Sequence, residues 1–473
     1  MATESGFLRY ASPNEQRTIS REDLGFYHAV IIGAIYELSD SFDTRSASSF
    51  FAPLHQCISD HPFLSVAVGD MHTDKSFYQH VPRINLSEHI MIAENAHAND
   101  SMVAVESLLQ QNVDSPFQRG IPPWKIIILP LEKGCFVAFS FSHTIGDGTA
   151  GLAFHHSFLR SCRTRRISTL PVQQVVNISI RSIPDPFDTP QNLPISWSFL
   201  LSPLASVALP SFVSKFLGLH SYSSADSGTW TGSENSYDPA MARSELVLQE
   251  VDAPSLANAL RVSREHAAKF TGLFQRIIAR AFSRALTDPD VTNFVCQTAV
   301  NMRRSVGRSS NEGGNVMSGC YTMYHRQDTS SGFSEDDWAA VASSTHALAA
   351  SSMELQDQVI GLLRYLRSIR SWTCSKLGQR KGFSFELSNV GVFDEPCKKI
   401  YPESGARITA MAFAQPGDVV GPPLAFNLVS VKGGALVYTV TWQSGALGLG
   451  DRSERSFVKK LCLLIDQDLS ELA

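Results

Sequence analysis

The chain is poor in charge and has almost no charge clusters. Only 18% of its 473 residues are Asp, Glu, Lys or Arg, and the formal net charge is −5. The densest basic run is the short Arg163-Thr164-Arg165-Arg166. Nucleic acid demands a basic face, so it is not expected as a partner. The eight cysteines (57, 135, 162, 296, 320, 374, 397 and 462) form no CxxC pair and no Cys/His group at ligand spacing. That pattern predicts reduced, mostly buried thiols and no metal site. Met1–Arg9 lacks a basic segment followed by an apolar run, so no signal peptide is expected and the cytoplasm is the expected compartment. Without secretion, the glycosylation triplets at Asn85, Asn99 and Asn177 carry no meaning. No GxSxG elbow, Walker A loop, HExxH or strand-linked GxGxxG is present, which disfavours a serine hydrolase.

One long uncharged run does occur, Ile195–Ser214. It is long enough to span a bilayer. Two prolines and six serines interrupt it, and each break would leave backbone groups to be rescued in lipid. A packed or channel-lining helix is the preferred reading, with weak membrane-surface contact second. The run lies in Arg163–Gly228, the least regular stretch, which reads as a crossover. The chain exceeds what one simple core holds. Residues 1–185 and 230–473 are expected as two α/β domains joined by a linker at 186–229. No internal sequence repeat links them.

Along the chain, Ser20 is a plausible helix cap, and apolar spacing predicts a helix over Leu24–Leu38 and another over Ala47–Ile58. Phe63–Val68 alternates like a strand. His61, before a proline, reads as a helix-end residue rather than a functional one. Val103–Gln110 reads as a helix. Strands follow at Lys125–Leu129 and Cys135–Ser142 around a Gly134 turn, making a hairpin. Thr149–Cys162 is helical, and its His155 and His156 read as packing or surface residues. In the second half, strands are expected at Ser244–Val251, Phe294–Val300, Phe383–Val392, Ile408–Phe413, Ala425–Val431 and Leu436–Trp442, with Gly433-Gly434 turning the last pair. Helices are expected at Pro254–Val262 (capped by Asp252), from Thr271 as cap to Leu286, at Glu335–Ser351, at Leu355–Cys374 and at Arg455–Leu469. Val306–Gly319, rich in Gly and Ser, reads as a mobile loop.

The chemistry concentrates at the tip of the Cys135–Ser142 strand, in His143-Thr144-Ile145-Gly146-Asp147-Gly148. A histidine titrates near neutrality and can take a proton from a hydroxyl or amine. Its ring must be fixed by a backbone carbonyl or a carboxylate. Asp147 can cap the next helix or pair with a distant arginine, and either role pins the loop. Gly148 lets the chain turn without a Cβ beside the site and leaves room for substrate. The bland alternative is a loop histidine followed by an ordinary Asp-Gly helix start. The HxxxDG spacing is moderately specific.

Pro122-Pro123-Trp124 followed by Phe141–Gly148 resembles the CoA-dependent acyltransferase superfamily, which includes chloramphenicol acetyltransferase, plant BAHD enzymes and peptide-synthetase condensation domains. Leu24–Tyr27, Asn301–Arg304, Phe385–Phe393 and Ser430–Gly434 are closer to its fungal-type alcohol acetyltransferase branch. The resemblance spans nearly the whole chain, but only HxxxDG is a sharp motif. It implies two chloramphenicol-acetyltransferase-like domains, each a mixed sheet with flanking helices, around an active-site tunnel. His143 would be the general base and Asp147 would hold the loop through Arg303, with Arg304 the less favoured choice. Ser388 and Asn389 are the candidate oxyanion or substrate donors. Acyl-CoA, acetyl-CoA first, would be the co-substrate, and no bound cofactor is expected. The acceptor would be a small hydrophobic alcohol. The plant DFGWG motif is absent, and Ser142 stands where condensation domains carry a second histidine. A non-catalytic ligand-binding relative and a carrier-protein-dependent acyltransferase are the alternatives. A single chain is expected to build the whole site, favouring a monomer.

Overall fold

The computed structural model describes residues 6–39, 42–94, 100–164, 173–201, 225–327, 332–395 and 405–472. In the first half these form β1 (Phe7–Tyr10), α1 (Pro13–Asp23), β2 (Ala29–Glu37), α2 (Phe51–Asp60), β3 (Val66–Gly69), β4 (Phe77–His80), β5 (Arg83–Asn85), β6 (Ile90–Ile92), α3 (Ser101–Asn112), β7 (Trp124–Pro130), β8 (Cys135–Ser142), α4 (Gly148–Thr164) and β9 (Val175–Asn177). The second half adds β10 (Ser244–Val251), α5 (Ala253–Glu265), α6 (Phe270–Ala285), β11 (Asn293–Asn301), β12 (Met317–His325), α7 (Glu335–Met353) and α8 (Ile369–Cys374). It closes with β13 (Phe385–Phe393), β14 (Arg407–Ala414), β15 (Leu424–Val431), β16 (Leu436–Gln443) and α9 (Glu454–Ser470).

Two large mixed sheets organise the chain. The first runs β14-β2-β8-β7-β6 and the second β10-β16-β15-β13-β11-β12. Only β6–β7 is parallel in the first; β11–β13 and β13–β15 are parallel in the second. These are the two α/β lobes with flanking helices that the motif resemblance implies. β14 leaves the second half of the sequence to pair antiparallel with β2, so the first sheet is completed from the far end of the chain. The β7–β8 hairpin turns at Gly134, whose φ is +80° and whose missing Cβ would lie 1.9 Å from the Tyr36 carbonyl oxygen.

The strand β2 corrects the helix expected over Leu24–Leu38. Val30, Ile32, Ala34 and Tyr36 enter one core and Ala29 and Ile31 another, so both faces are buried. A strand covered on both sides has no polar alternation to reveal its pleat, and its apolar run mimics a helical stripe. Ser20 lies inside α1; the cap is Ser12, whose hydroxyl accepts from Glu15 N in a capping box. Thr271 lies inside α6, whose first flanking residue is Lys269, with no side-chain cap. Leu355–Cys374 is not one helix. Asp357, at φ +60°, and Ser368, which caps α8, divide it into a 3₁₀ turn over Val359–Tyr365 and the short α8. Phe63–Ser65 lies in a 3₁₀ turn ahead of β3 rather than in the strand.

His61 ends α2, buried, with Nε2 3.0 Å from Ser157 Oγ. His155 is fully buried between Tyr36 Oη and Ile32 O, and His156 stacks on Phe393 at 4.2 Å. His61 stands at the helix end, as expected of it, and His155 and His156 are packing residues. Seven cysteines are described and all are free thiols. Of the uncharged run only residues 195–201 are described, and they begin a helical turn at Trp197; the rest lies outside the described residues. Among the described residues no helix is long and apolar enough to cross a membrane.

Gly33 sits at the centre of β2 opposite Ala138, with the Phe136 ring lying over it. A Cβ there would come within 2.1 Å of that ring. Gly33→Val should therefore destabilise the fold by about 1–3 kcal/mol through overpacking, read as a lower urea midpoint at unchanged m-value.

Candidate active site

β8 delivers His143 to the rim of a cavity of about 780 Å³ lined by both lobes. The strand is rigid there. Its last residue, Ser142, has a hydroxyl hydrogen-bonded to Glu22 and 2.7 Å from Thr144 Oγ1. Burial pushes the Glu22 carboxyl up to about 7, which suits sharing a proton with that hydroxyl. Tyr78 Oη donates to Thr144 O at 2.6 Å, clamping the chain beyond the histidine.

The His143 ring is fixed by backbone. Nδ1 lies 2.9 Å from Gly146 O, so Nδ1 carries the proton and donates, leaving the Nε2 lone pair for the cavity. Asn315 Nδ2 lies 3.3 Å from the same Nδ1, and Asn315 Oδ1 is buried without a partner. Turning this amide over brings its oxygen, rather than its NH2, to Nδ1–H. The Tyr27 ring packs beside the imidazole at 5.8 Å between centroids. Burial, then the nearby Arg17 guanidinium, push His143 down to about 4, against the opposing pull of Asp147. The imidazole is therefore neutral at pH 7 and ready to accept a proton.

Asp147 does not touch His143. Its Oδ1 accepts from Ala150 N at 3.1 Å, capping α4. Its Oδ2 accepts from Arg303 Nη1 at 2.8 Å and from Val316 N at 3.0 Å. The Asp147 and Arg303 side chains are each only 2% exposed. Arg303 also donates to Glu312 O at 3.0 Å and Gly314 O at 2.8 Å. One arginine thus ties the histidine loop to the second lobe, and it pins Glu312–Val316 of the loop expected to be mobile. Gly146 makes an isolated parallel bridge to Gly314 in the same seam. Arg304 is exposed and takes no part.

Gly148 lines the cavity, and a Cβ there would also meet Val390 Cγ1 at 2.2 Å, so the close approach of β13 adds a second reason for glycine. On β13, Ser388 lines the cavity with its hydroxyl in no protein hydrogen bond among the described residues. Asn389 also lines it, but its amide donates to Thr271 Oγ1 at 3.1 Å and accepts from Gly391 N at 2.9 Å. The first bond holds β13 to α6 and the second closes the bulge between Asn389 and Val392, so Ser388 is the freer donor.

The cavity also holds residues that carry no sequence motif. Arg17, Tyr27, Asn315, Trp372, Lys376, Glu386 and Gln415 come from six different segments. Tyr27 Oη donates to Gln415 at 2.8 Å, and Gln415 donates to Glu386 at 3.0 Å, making a buried polar chain behind the histidine. Only Tyr27 and Glu386 lay in stretches that gave a signal, Leu24–Tyr27 and Phe385–Phe393, through their family likeness.

Two outcomes are expected from the Asp147–Arg303 pair. Asp147→Ala and Arg303→Ala should each destabilise by about 3–5 kcal/mol, because each strands a buried charge. In a double-mutant cycle the combined variant should be far less destabilised than the sum, read from thermal or urea unfolding.

The geometry can be set beside known proteins. The alcohol acetyltransferase family model matches residues 72–469. An uncharacterised protein of Schizosaccharomyces pombe is 22% identical over 92% of this chain and 91% of its own. "Probable alcohol acetyltransferase FCK4" of Fusarium pseudograminearum is 22% identical over 86% of this chain and 84% of its own. Among solved structures, TRI3 trichothecene 15-O-acetyltransferase from Fusarium sporotrichioides superposes with a TM-score of 0.66 at 13% identity, over 99% of both chains. The condensation domain of the Monacolin K polyketide synthase MokA follows the same fold, with a TM-score of 0.59 at 11% identity over 99% of both chains. At such identities these two structures speak for the fold alone, while the family model covers most of the sequence: the chain belongs to the alcohol acetyltransferase family.

Proposed function

We propose that the protein is an acyl-CoA-dependent O-acyltransferase, with acetyl-CoA the first choice of donor and an apolar alcohol or secondary metabolite as acceptor. The observation that carries this reading is the neutral, backbone-fixed His143 facing the cavity between the lobes. His143 Nε2 takes the hydroxyl proton as the acceptor oxygen forms its bond to the thioester carbonyl carbon. The negative charge passes to the carbonyl oxygen, which Ser388 Oγ–H receives. Collapse of the tetrahedral species breaks the C–S bond, and the imidazolium returns the proton to the departing CoA thiolate. Ester and free CoA balance the reaction, and no acyl-enzyme is needed. Asp147, Arg303 and Gly148 hold the loop against the second lobe.

In this reading residues 1–185 and 230–473 supply the two lobes, 186–229 is the crossover, and 407–414 is the strand the second lobe lends the first. One chain encloses the cavity, which supports a monomer as the working unit. Among the described residues no surface patch singles out a carrier-protein donor. Trp197, 77% exposed, and Leu201, 49% exposed, give the start of the uncharged run an apolar surface that supports peripheral contact with membranes from a cytoplasmic location.

A panel of acyl-CoAs and model alcohols tests the proposal. His143→Ala should lower turnover by ~10²–10⁴-fold, and an unchanged rate would overturn the mechanism. Ser388→Ala should cost ~10²-fold in kcat if its hydroxyl meets the oxyanion. With the histidine held down to about 4, its neutral form persists as the pH falls. The acid limb of kcat/KM should therefore lie well below an ordinary histidine's value, and a limb near 6.5 would contradict that placement.

A further inference from the structure

The cavity wall beside His143 carries more positive charge than its carboxylates neutralise. Arg17, on α1, reaches only Asn14 Oδ1, at 3.3 and 3.4 Å. Lys376, just past α8, lies over the Trp372 ring with Nζ 3.8 Å from its centroid and has no carboxylate in ion-pair range among the described residues. Arg21 has a carboxylate already, Asp418 at 2.8 Å. Arg380 donates to Thr231 Oγ1 and to the Asp226 and Thr229 carbonyls, Asp147 is paired with Arg303, and the last acid, Glu386, is held above its usual range by burial and accepts from Gln415. Arg17, Arg21, Lys376, Arg380, Asp147 and Glu386 line the same cavity.

Unpaired cations in such a wall are costly unless something compensates them. Burial and the mutual repulsion of Arg17, Arg21 and Lys376 lower Lys376 to about 7 and Arg17 to about 10. One part of the wall is apolar, with Ile360, Leu363, Phe383, Val390 and Phe413, while Gln297, Asn301, Ser318 and Gln379 add uncharged polar groups elsewhere. The space therefore suits a molecule that is apolar along its body and anionic at one end.

We propose that Arg17 and Lys376 form a carboxylate seat for the acceptor, which is an apolar hydroxy acid held with its hydroxyl at His143. This rests on the acyl-transfer reading above and narrows its acceptor class. The phosphates of CoA are the other source of negative charge. They are separated from the thioester by the whole pantetheine arm, whereas Arg17 lines the same cavity as His143. An anion paired with Arg17 therefore lies in the space that the acceptor hydroxyl must share with the imidazole.

The test is calorimetric titration, without donor, of medium- and long-chain ω-hydroxy acids and their methyl esters, with free CoA as a separate arm. Parent protein should bind at least one acid about tenfold or more tightly than its ester. Arg17→Gln and Lys376→Gln should each abolish that preference, while Arg17→Lys should keep part of it. Neither glutamine variant should unfold at a lower temperature than parent, since each removes an uncompensated charge; if Arg17→Gln does not fold, Lys376→Gln and Arg17→Lys still decide. No acid preference anywhere in the panel overturns the proposal, and so does a preference that survives in both glutamine variants. CoA affinity falling in these variants without any acid preference assigns the seat to CoA phosphates and also overturns it. Failure of the acyl-transfer reading has a different signature: acid preference intact, with turnover unchanged in His143→Ala.

Discussion

The buried pair between Asp147 and Arg303 is the constraint on which the site depends. An aspartate four residues after the catalytic candidate could have served as a relay partner. Instead its two oxygens are spent on an arginine, a helix N-terminus and a backbone amide of the other lobe. A buried ion pair adds little net stability over a hydrophobic replacement, but removing one member is costly. Its value here is register. It fixes where the first lobe's histidine loop meets the second lobe's 301–316 segment, and so fixes the cavity between them.

That leaves the histidine to be oriented by its own backbone. The Gly146 carbonyl sets the tautomer, and burial sets the charge. The arrangement uses no charged partner at the ring, which keeps the imidazole neutral rather than stabilising its protonated form. Proton acceptance then draws on the reaction itself. A seat of unpaired cations close by further disfavours the imidazolium until an anionic acceptor arrives to offset them.

Much of this was legible in the sequence, and the reasons differ by residue. His143, Asp147 and Gly148 are close in sequence and belong to one turn, so their spacing announces them. Arg303 was reachable because it follows a strand end in a recognisable Asn-Met-Arg-Arg stretch, and the family resemblance preferred it to Arg304, which the fold leaves exposed. β8 alternates only weakly but is bounded by a turn and a histidine, and its limits were read correctly. β2 was misread, because burial on both faces erased the period that separates strand from helix. Arg17, Lys376 and Gln415 carry no local signal at all. Their meaning comes from three distant segments converging on one cavity, which no window of sequence contains. Gly148 was singled out as small beside the site, and only the fold adds its packing neighbour, Val390.

The central claim is direct transfer in one ternary complex, with His143 as the base and no covalent intermediate. Initial-rate patterns combined with intact mass of protein quenched during turnover test it most directly. The account predicts intersecting double-reciprocal lines for acetyl-CoA and an accepted alcohol, with the protein mass unchanged. Parallel lines and a chain heavier by one acetyl group would contradict it.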